Sequence, residues 1–421
     1  MEKIDFKAVV EISREWEGEK VAKELVLKIK SKTPNPKFIL LFTTIHYEKE
    51  FKKILSGMKD AFPQSPLIGG TIAGFMTPEG CFTRGVTALT VEYSDVDVSI
   101  GIGNDTKKNY KDAVSSALND IKKKKNKNHN SFIIELLPSA TIPSIVGVGQ
   151  KNVILSDKIA KKVIDFLPLA SKLNMGSDKA DEIIEALSKK TSDIIIGGCT
   201  MDDNKLLRNY QFHDKDILNN SLCLLKVSTG LKLNLYSVFG FQPMNKEIHI
   251  TKIDDDRRVV SEIDHKKART TFLNLFGWKE SDLGELYQLY RRVFYYPFGY
   301  KKDNYWHPCM IGLIWGENLI FANKIKEKKL KLLSLSAYRL IKNLNQFFSK
   351  EKFSKSKLVF GIGCETFIET LRDSIYDVKE IISKEIKEKP FLIIFTAGES
   401  VCNVDRIPHH FYESLNLLSI G

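Results

Sequence analysis

Cys364 and Glu399 are the residues of this chain best suited to covalent or proton-transfer chemistry. Each stands where an apolar run gives way to small residues: Leu358-Val359-Phe360-Gly361-Ile362-Gly363-Cys364, and Leu392-Ile393-Ile394-Phe395-Thr396-Ala397-Gly398-Glu399. A thiol beside a carboxylate is a nucleophile with its proton acceptor, or a pair of ligands for an amine or a metal. The plainer alternative is a buried thiol and a carboxylate that accepts loop N–H groups. No histidine is tied to Cys364 by local sequence, so no residue is assigned to catalysis and these two remain its candidates.

Two more apolar runs end alike, Pro66-Leu67-Ile68-Gly69-Gly70-Thr71 and Ile194-Ile195-Ile196-Gly197-Gly198-Cys199-Thr200. Glycine weakens a strand interior and belongs where backbone turns or approaches something closely. The backbone of Gly69, Gly70, Thr71, Gly197, Gly198, Cys199 and Gly398 could present N–H groups to an anion such as a carboxylate. Tight packing of strand ends would call for the same glycines. Asp202 could hold an amine or cap a turn. Neither Gly-Gly pair is followed by Gly-Lys-Ser/Thr, so neither is a Walker loop. Gly101-Ile102-Gly103 lacks the third glycine of a dinucleotide fingerprint.

His409 and His410 are adjacent, so on a strand they face opposite sides and at most one reaches a cleft. His410 is the ligand candidate. No cofactor and no metal is expected; haem on His410, His307 or His213 is the alternative. Tyr295, Tyr296, Tyr300, Tyr305 and Trp306, with Arg291 and Arg292, could stack on a ligand or form an aromatic domain interface.

The elements that position these residues follow from periodicity. The all-apolar Phe38–Phe42, together with Phe132–Leu137 and Leu358–Gly361, read as buried strands, separated by helices with apolar stripes such as Val21, Leu25 and Ile29. Val86–Tyr93 with Val96–Ile102, and Leu222–Val227 with Leu233–Phe239, read as hairpins. The expected fold is mixed α/β, with layered parallel and antiparallel sheets flanked by helices. An internal βαβββ-like repeat is expected over 38–103 and 132–240. At 421 residues two domains are expected. The boundary is placed near residue 250, in the polar run around Asp254-Asp255-Asp256-Arg257-Arg258, giving 1–250 and a second α/β domain, 251–421.

The net charge of +12 is spread over helix faces and loops, and no nucleic-acid motif accompanies it. Six cysteines without a C-x-x-C pair argue for reduced thiols. No apolar run reaches the roughly 18 residues of a membrane span, and no secretory leader is evident. A cytoplasmic protein with no membrane or nucleic-acid partner is expected.

With these pieces in place, the chain resembles the FIST family. Gly69-Gly70-Thr71-Ile72-Ala73-Gly74 is similar to the IGC-x-x-AGE region of the FIST N-terminal domain, and Ile196 to Asp203 to its GGLAGD segment. Tyr296-Pro297-Phe298-Gly299, Cys364, Ala397-Gly398-Glu399 and the last strand resemble the FIST C-terminal domain. The likeness runs from about Phe38 to Ile420. It implies a sensory module for a small molecule, amino acids among them, that signals through a protein partner; some relatives hold haem, and a eukaryotic branch carries an F-box. No output module is expected before Phe38. Three departures touch the family site: Phe75 replaces an acidic residue, 409–414 reads His-His-Phe-Tyr-Glu-Ser, and the nearest arginine after Cys364 is Arg372. An enzyme using Cys364 and Glu399, and a protein-interaction adaptor, are the competing functions.

Overall fold

The computed structural model describes residues 5–122, 130–144, 147, 149–283, 293–302, 305–350, 353–387 and 389–421. Arg291 and Arg292 lie outside them. Among the described residues there are three six-stranded sheets of matching strand order and one nine-stranded sheet. Each six-stranded sheet has a parallel pair at its centre. The pairs are Phe38–Thr43 with Leu67–Thr71, Asn130–Pro138 with Ile194–Thr200, and Leu358–Cys364 with Phe391–Thr396. On one side of each pair lie two antiparallel strands from the same stretch of chain.

On the other side the hairpin is exchanged. The hairpin of the first unit, Gly74–Thr77 with Gly80–Phe82, joins the third sheet. That of the second, Gln211–His213 with Asp216–Leu218, joins the first. That of the third, Glu399–Cys402 with Pro408–Phe411, joins the second. The exchange is cyclic, and each sheet is completed by a neighbouring unit.

The all-apolar strands follow from this arrangement. Phe38, Leu40 and Phe42 enter a core shared with Ile134, Leu136, Phe360 and Ile362 of the other two sheets. Ile39 and Leu41, one residue out of phase, pack under the helices Gly18–Lys32 and Phe51–Ala61. The same division holds in the second and third sheets. Strands covered on both faces have no polar face to alternate.

The structure corrects the expected hairpins and repeat. Val86–Glu92 pairs within the first sheet, whereas Val96–Gly103 pairs with Leu222–Thr229 in the second. Leu233–Phe239 likewise leaves Leu222–Thr229 to pair with Ser414–Ile420. Both connections are crossovers between sheets. A turn signal between two alternating runs does not say whether the chain doubles back or moves on. The units are therefore three, about 7–92, 96–229 and 233–420, rather than two.

Residues 241–335 form most of the nine-stranded sheet, which has its own core around Ile250, Ile263, Phe272 and Ile314. It is inserted in the third unit after Leu233–Phe239. Strand pairing does not divide at residue 250: Phe241–Ile253 runs across it, and Leu233–Phe239 pairs with the last strand of the chain. The polar run at 254–258 is a turn inside the inserted sheet. The aromatic stretch around Tyr300 and Tyr305 is a hairpin, Phe298–Lys302 with Tyr305–Cys309. Tyr305 packs on Phe239 and Phe411 of the third unit.

Gly69 shows how closely the sheets are built. A Cβ at Gly69 would lie 1.6 Å from the Leu41 carbonyl oxygen, a backbone atom that cannot yield. Gly69→Ala is expected to cost roughly 3 kcal/mol or more. Gly312→Ala, whose Cβ would meet nothing nearer than Ile320 O at 3.9 Å, should stay within about 1 kcal/mol of the parent in urea unfolding.

Candidate ligand site

The three central strand ends meet one another. Met201 N–H donates to Thr71 O at 2.9 Å, Ala397 N–H to Cys199 O at 3.0 Å, and Ala73 N–H to Phe395 O at 3.0 Å. The two Gly-Gly pairs are thus brought to a common place, and side chains fill it. A Cβ on Gly70 would lie 2.6 Å from Thr200 Cγ2, and one on Gly198 would lie 2.6 Å from Thr396 Oγ1. Gly197 closes against the Glu135 side chain, and Gly398 against His410. These glycines serve close approach between strands.

Asp202 is taken up locally. Its two oxygens accept from the backbone N–H groups of Lys205, Leu206, Leu207 and Arg208, which shapes the turn after the second Gly-Gly strand. His409 and His410 do face opposite ways. His409 stacks on Phe411 and neighbours His307, whereas His410 Nδ1 lies 3.1 Å from Ser400 Oγ. His213 is elsewhere, on the hairpin that completes the first sheet.

Cys364 and Glu399 do come together, near enough for each to act on the other's ionisation. Glu399 is fully buried opposite Gly198, and its Oε2 accepts from Ser414 N at 3.1 Å and Ser414 Oγ at 2.9 Å. Burial pushes both groups well above their ordinary values, and the proximity of Glu399 and Glu413 pushes the thiol further. Cys364 is therefore a neutral thiol at neutral pH, the opposite of an activated nucleophile.

More buried carboxyl groups surround this pair than the sequence suggested. Glu365 is lifted to about 8 by burial, with Glu369 adding to it. Glu413, in the left-handed region at φ 59°, is also raised by burial, and neither of its oxygens has a hydrogen-bond partner among the described residues. Glu135, on the second sheet, is raised to about 8 by burial.

The open space lies beside these strand ends. A cavity of about 80 Å³ is lined by Ser139, Met201, Cys364 and Ala397 at the strand ends, and by Gly312 and Ala322 of the inserted sheet, among others. Asp178, Glu365 and Tyr412 give it polar groups. It shares Ala140, Leu206, Gly312 and Ala322 with a larger cavity of about 710 Å³. The larger one lies between the helix Asp157–Lys172, the loop after Pro138 and the inserted sheet. Of the residues expected to bind a ligand, Cys364 lines the smaller cavity, and the others line neither.

Sequence reasoning missed Arg258, Tyr412, Glu365 and Lys107. Arg258 falls in the polar run that reads as a domain boundary, and Tyr412 and Glu365 flank His410 and Cys364 without a pattern of their own. Lys107 is 2% exposed, donates to Thr141 Oγ1 at 3.0 Å, and is lowered to about 8 by burial against the opposing pull of Asp178. A single lysine in a lysine-rich helix start gives no signal of burial.

Three hairpin-exchanging units enclosing one core, with an inserted sheet walling a cavity at their strand ends, define a mixed α/β protein with an internal small-molecule-sized space. The chain belongs to the FIST family: a sequence model of the FIST N domain matches residues 37–266, more than half of its 421 residues. The C-terminal motifs of the resemblance lie outside the matched residues. Uncharacterized protein MJ1623 of Methanocaldococcus jannaschii is similar, 23% identical over 403 residues, which covers 90% of this chain and 69% of that protein. A cyanuric acid hydrolase from A. caulinodans superposes over 99% of both chains at 7% identity and a TM-score of 0.33, too slight a likeness to carry any argument.

The buried carboxyl of Glu135 makes stability pH-dependent. Its folded value, about 8, lies above its ordinary 4.5, so the folded state holds a proton that the unfolded state releases between them. Stability is full below 4.5 and falls as pH rises through about 8. Glu135→Gln should unfold at least ~2 °C above the parent at pH 8, with the gap closing toward pH 4.5. Parallel melting curves across that range would contradict the assignment.

Proposed function

We propose that this protein is a sensory module that binds a small molecule, an amino acid among the candidates, and passes the event to a signalling protein. The observation that carries this reading is the pair of adjoining cavities between the three-unit body and the inserted sheet. The larger one, about 710 Å³, is in the size range of small-molecule sites, and the lining of both is mostly apolar with a few polar groups. Residues from both the body and the insert form the walls, so a ligand that prefers one spacing of the two shifts their placement by its differential affinity. Membership of the FIST family supports the same reading. We place the protein in the cytoplasm; no described helix is long and apolar enough to cross a membrane.

An enzyme built on Cys364 and Glu399 has less support, because both groups are buried, burial holds the thiol in its neutral form, and Glu399 faces neither cavity. An adaptor role would rest on the aromatic hairpin, whose Tyr300 and Tyr305 are engaged in internal contacts with His307 and Phe411. No nucleic-acid partner or cofactor enters the proposal.

Gly312 offers the test. It lines both cavities, and its missing side chain points at no close neighbour. A thermal-shift screen of amino acids and small metabolites should yield ligands that raise the melting temperature of the parent protein. Gly312→Phe should abolish those shifts while melting cooperatively. Hits that survive this substitution would put the binding site elsewhere and end the proposal.

A further inference from the structure

The larger cavity has charged residues in its wall, and each is either paired within the protein or open to solvent. We propose that this cavity takes an uncharged molecule with an apolar body and turns away ions, free amino acids among them. The inference rests on the cavity being the ligand site and adds the chemistry of the ligand.

The wall holds Asp165, Asp254 and Asp256 against Lys172, Lys179 and Arg258. Lys179 stands 3.6 Å from Asp256 and 3.9 Å from Glu182. Arg258 Nη2 donates to Glu182 Oε2 at 3.3 Å, and its Nε and Nη1 are shut inside the wall, out of reach of a ligand. Asp254 is exposed, and its Oδ1 accepts from the Arg258 and Val259 N–H groups at 2.8 Å. Asp165 and Lys172 are exposed too and keep their charges in water.

The layer behind is matched in the same way. Lys324 stands 3.1 Å from Glu182 and 3.5 Å from Asp256. Lys326 lies between Glu185 at 2.7 Å and Asp181 at 4.0 Å. Carboxylates therefore outnumber cations by one, but the side chain of Glu185 is 43% exposed and solvent screens it. An entering anion would meet no spare cation, and an entering cation no spare buried carboxylate.

The adjoining cavity of about 80 Å³ adds Asp178 and Glu365 and has no Lys, Arg or His in its lining. Asp178 Oδ1 accepts from Ala180 N–H at 3.0 Å, and the carboxylate attracts Lys107. Glu365 Oε1 accepts from Asn204 Nδ2 at 2.9 Å. Burial lifts Glu365 to about 8, so it is mostly protonated at neutral pH. This end suits a hydroxyl or carbonyl group.

Most of the larger wall is apolar, with Ile142, Leu167, Met175, Leu313, Ile320 and Phe321. An ion placed there would leave water without gaining a free counter-charge, which is costly. An uncharged molecule loses little hydration and gains the apolar contact.

Calorimetric titration with octan-1-ol, octanoate, octylammonium and leucine at neutral pH tests the proposal. Octanol is expected to bind about tenfold or more tighter than octanoate or octylammonium, and leucine to give no binding heat. Gly312→Phe should remove octanol binding. If that variant does not melt cooperatively, Leu167→Gln, half-buried in the same wall, takes its place, with roughly fivefold weaker octanol binding expected. Any of the three ions bound as tightly as octanol, or no octanol binding by the parent, would overturn the proposal. An ion that binds and is lost in the cavity variant would leave the cavity as the ligand site and remove only its preference for uncharged molecules. Binding that ignores the cavity variants would count against the cavity itself.

Discussion

Three backbone hydrogen bonds tie the ends of the central strands into a ring: Met201 to Thr71, Ala397 to Cys199, and Ala73 to Phe395. Each joins a different pair of units, so no unit closes without the other two. The exchanged hairpins repeat the dependence at the sheet level, since each sheet borrows its outer two strands. The glycines are the condition for both. Gly70 and Gly198 let the neighbouring unit's threonine lie against bare backbone, where any side chain would hold the strands apart.

That closeness has an electrostatic consequence. Glu399 borders Gly198 in the second sheet, and Glu135 fills the space that Gly197 leaves. Carboxyl groups shut into such places are neutral, because burial disfavours the charged form more than the few available hydrogen bonds favour it. The Cys364 thiol is kept neutral by the same burial and by its acidic neighbours. The strand ends are therefore a packed polar core, and the open space is displaced to their flank. There the inserted sheet meets the loops that leave the strands.

Much of the scaffold was legible in the sequence. The buried strands, the striped helices and the mixed pairing follow from periodicity, and the closeness of Cys364 to Glu399 follows from two similar strand endings. The cavity was not legible. Gly312, Arg258 and Leu206 come from distant parts of the chain, and none carries a local pattern. Arg258 looked like linker polarity because a surface turn and a cavity-lining turn share the same residue types.

The sequence by itself determined which segments are strands covered on both faces, and that some strand ends must be bare, because hydrophobic period and glycine act through neighbours in the chain. It could not determine which strands pair. Val86–Glu92 and Val96–Gly103 alternate like a hairpin, yet belong to different sheets. Partner choice depends on surfaces brought together only when all three units close. That closure decided that the glycine ends are filled, that the carboxyls beside them are neutral, and that the open space lies against the inserted sheet.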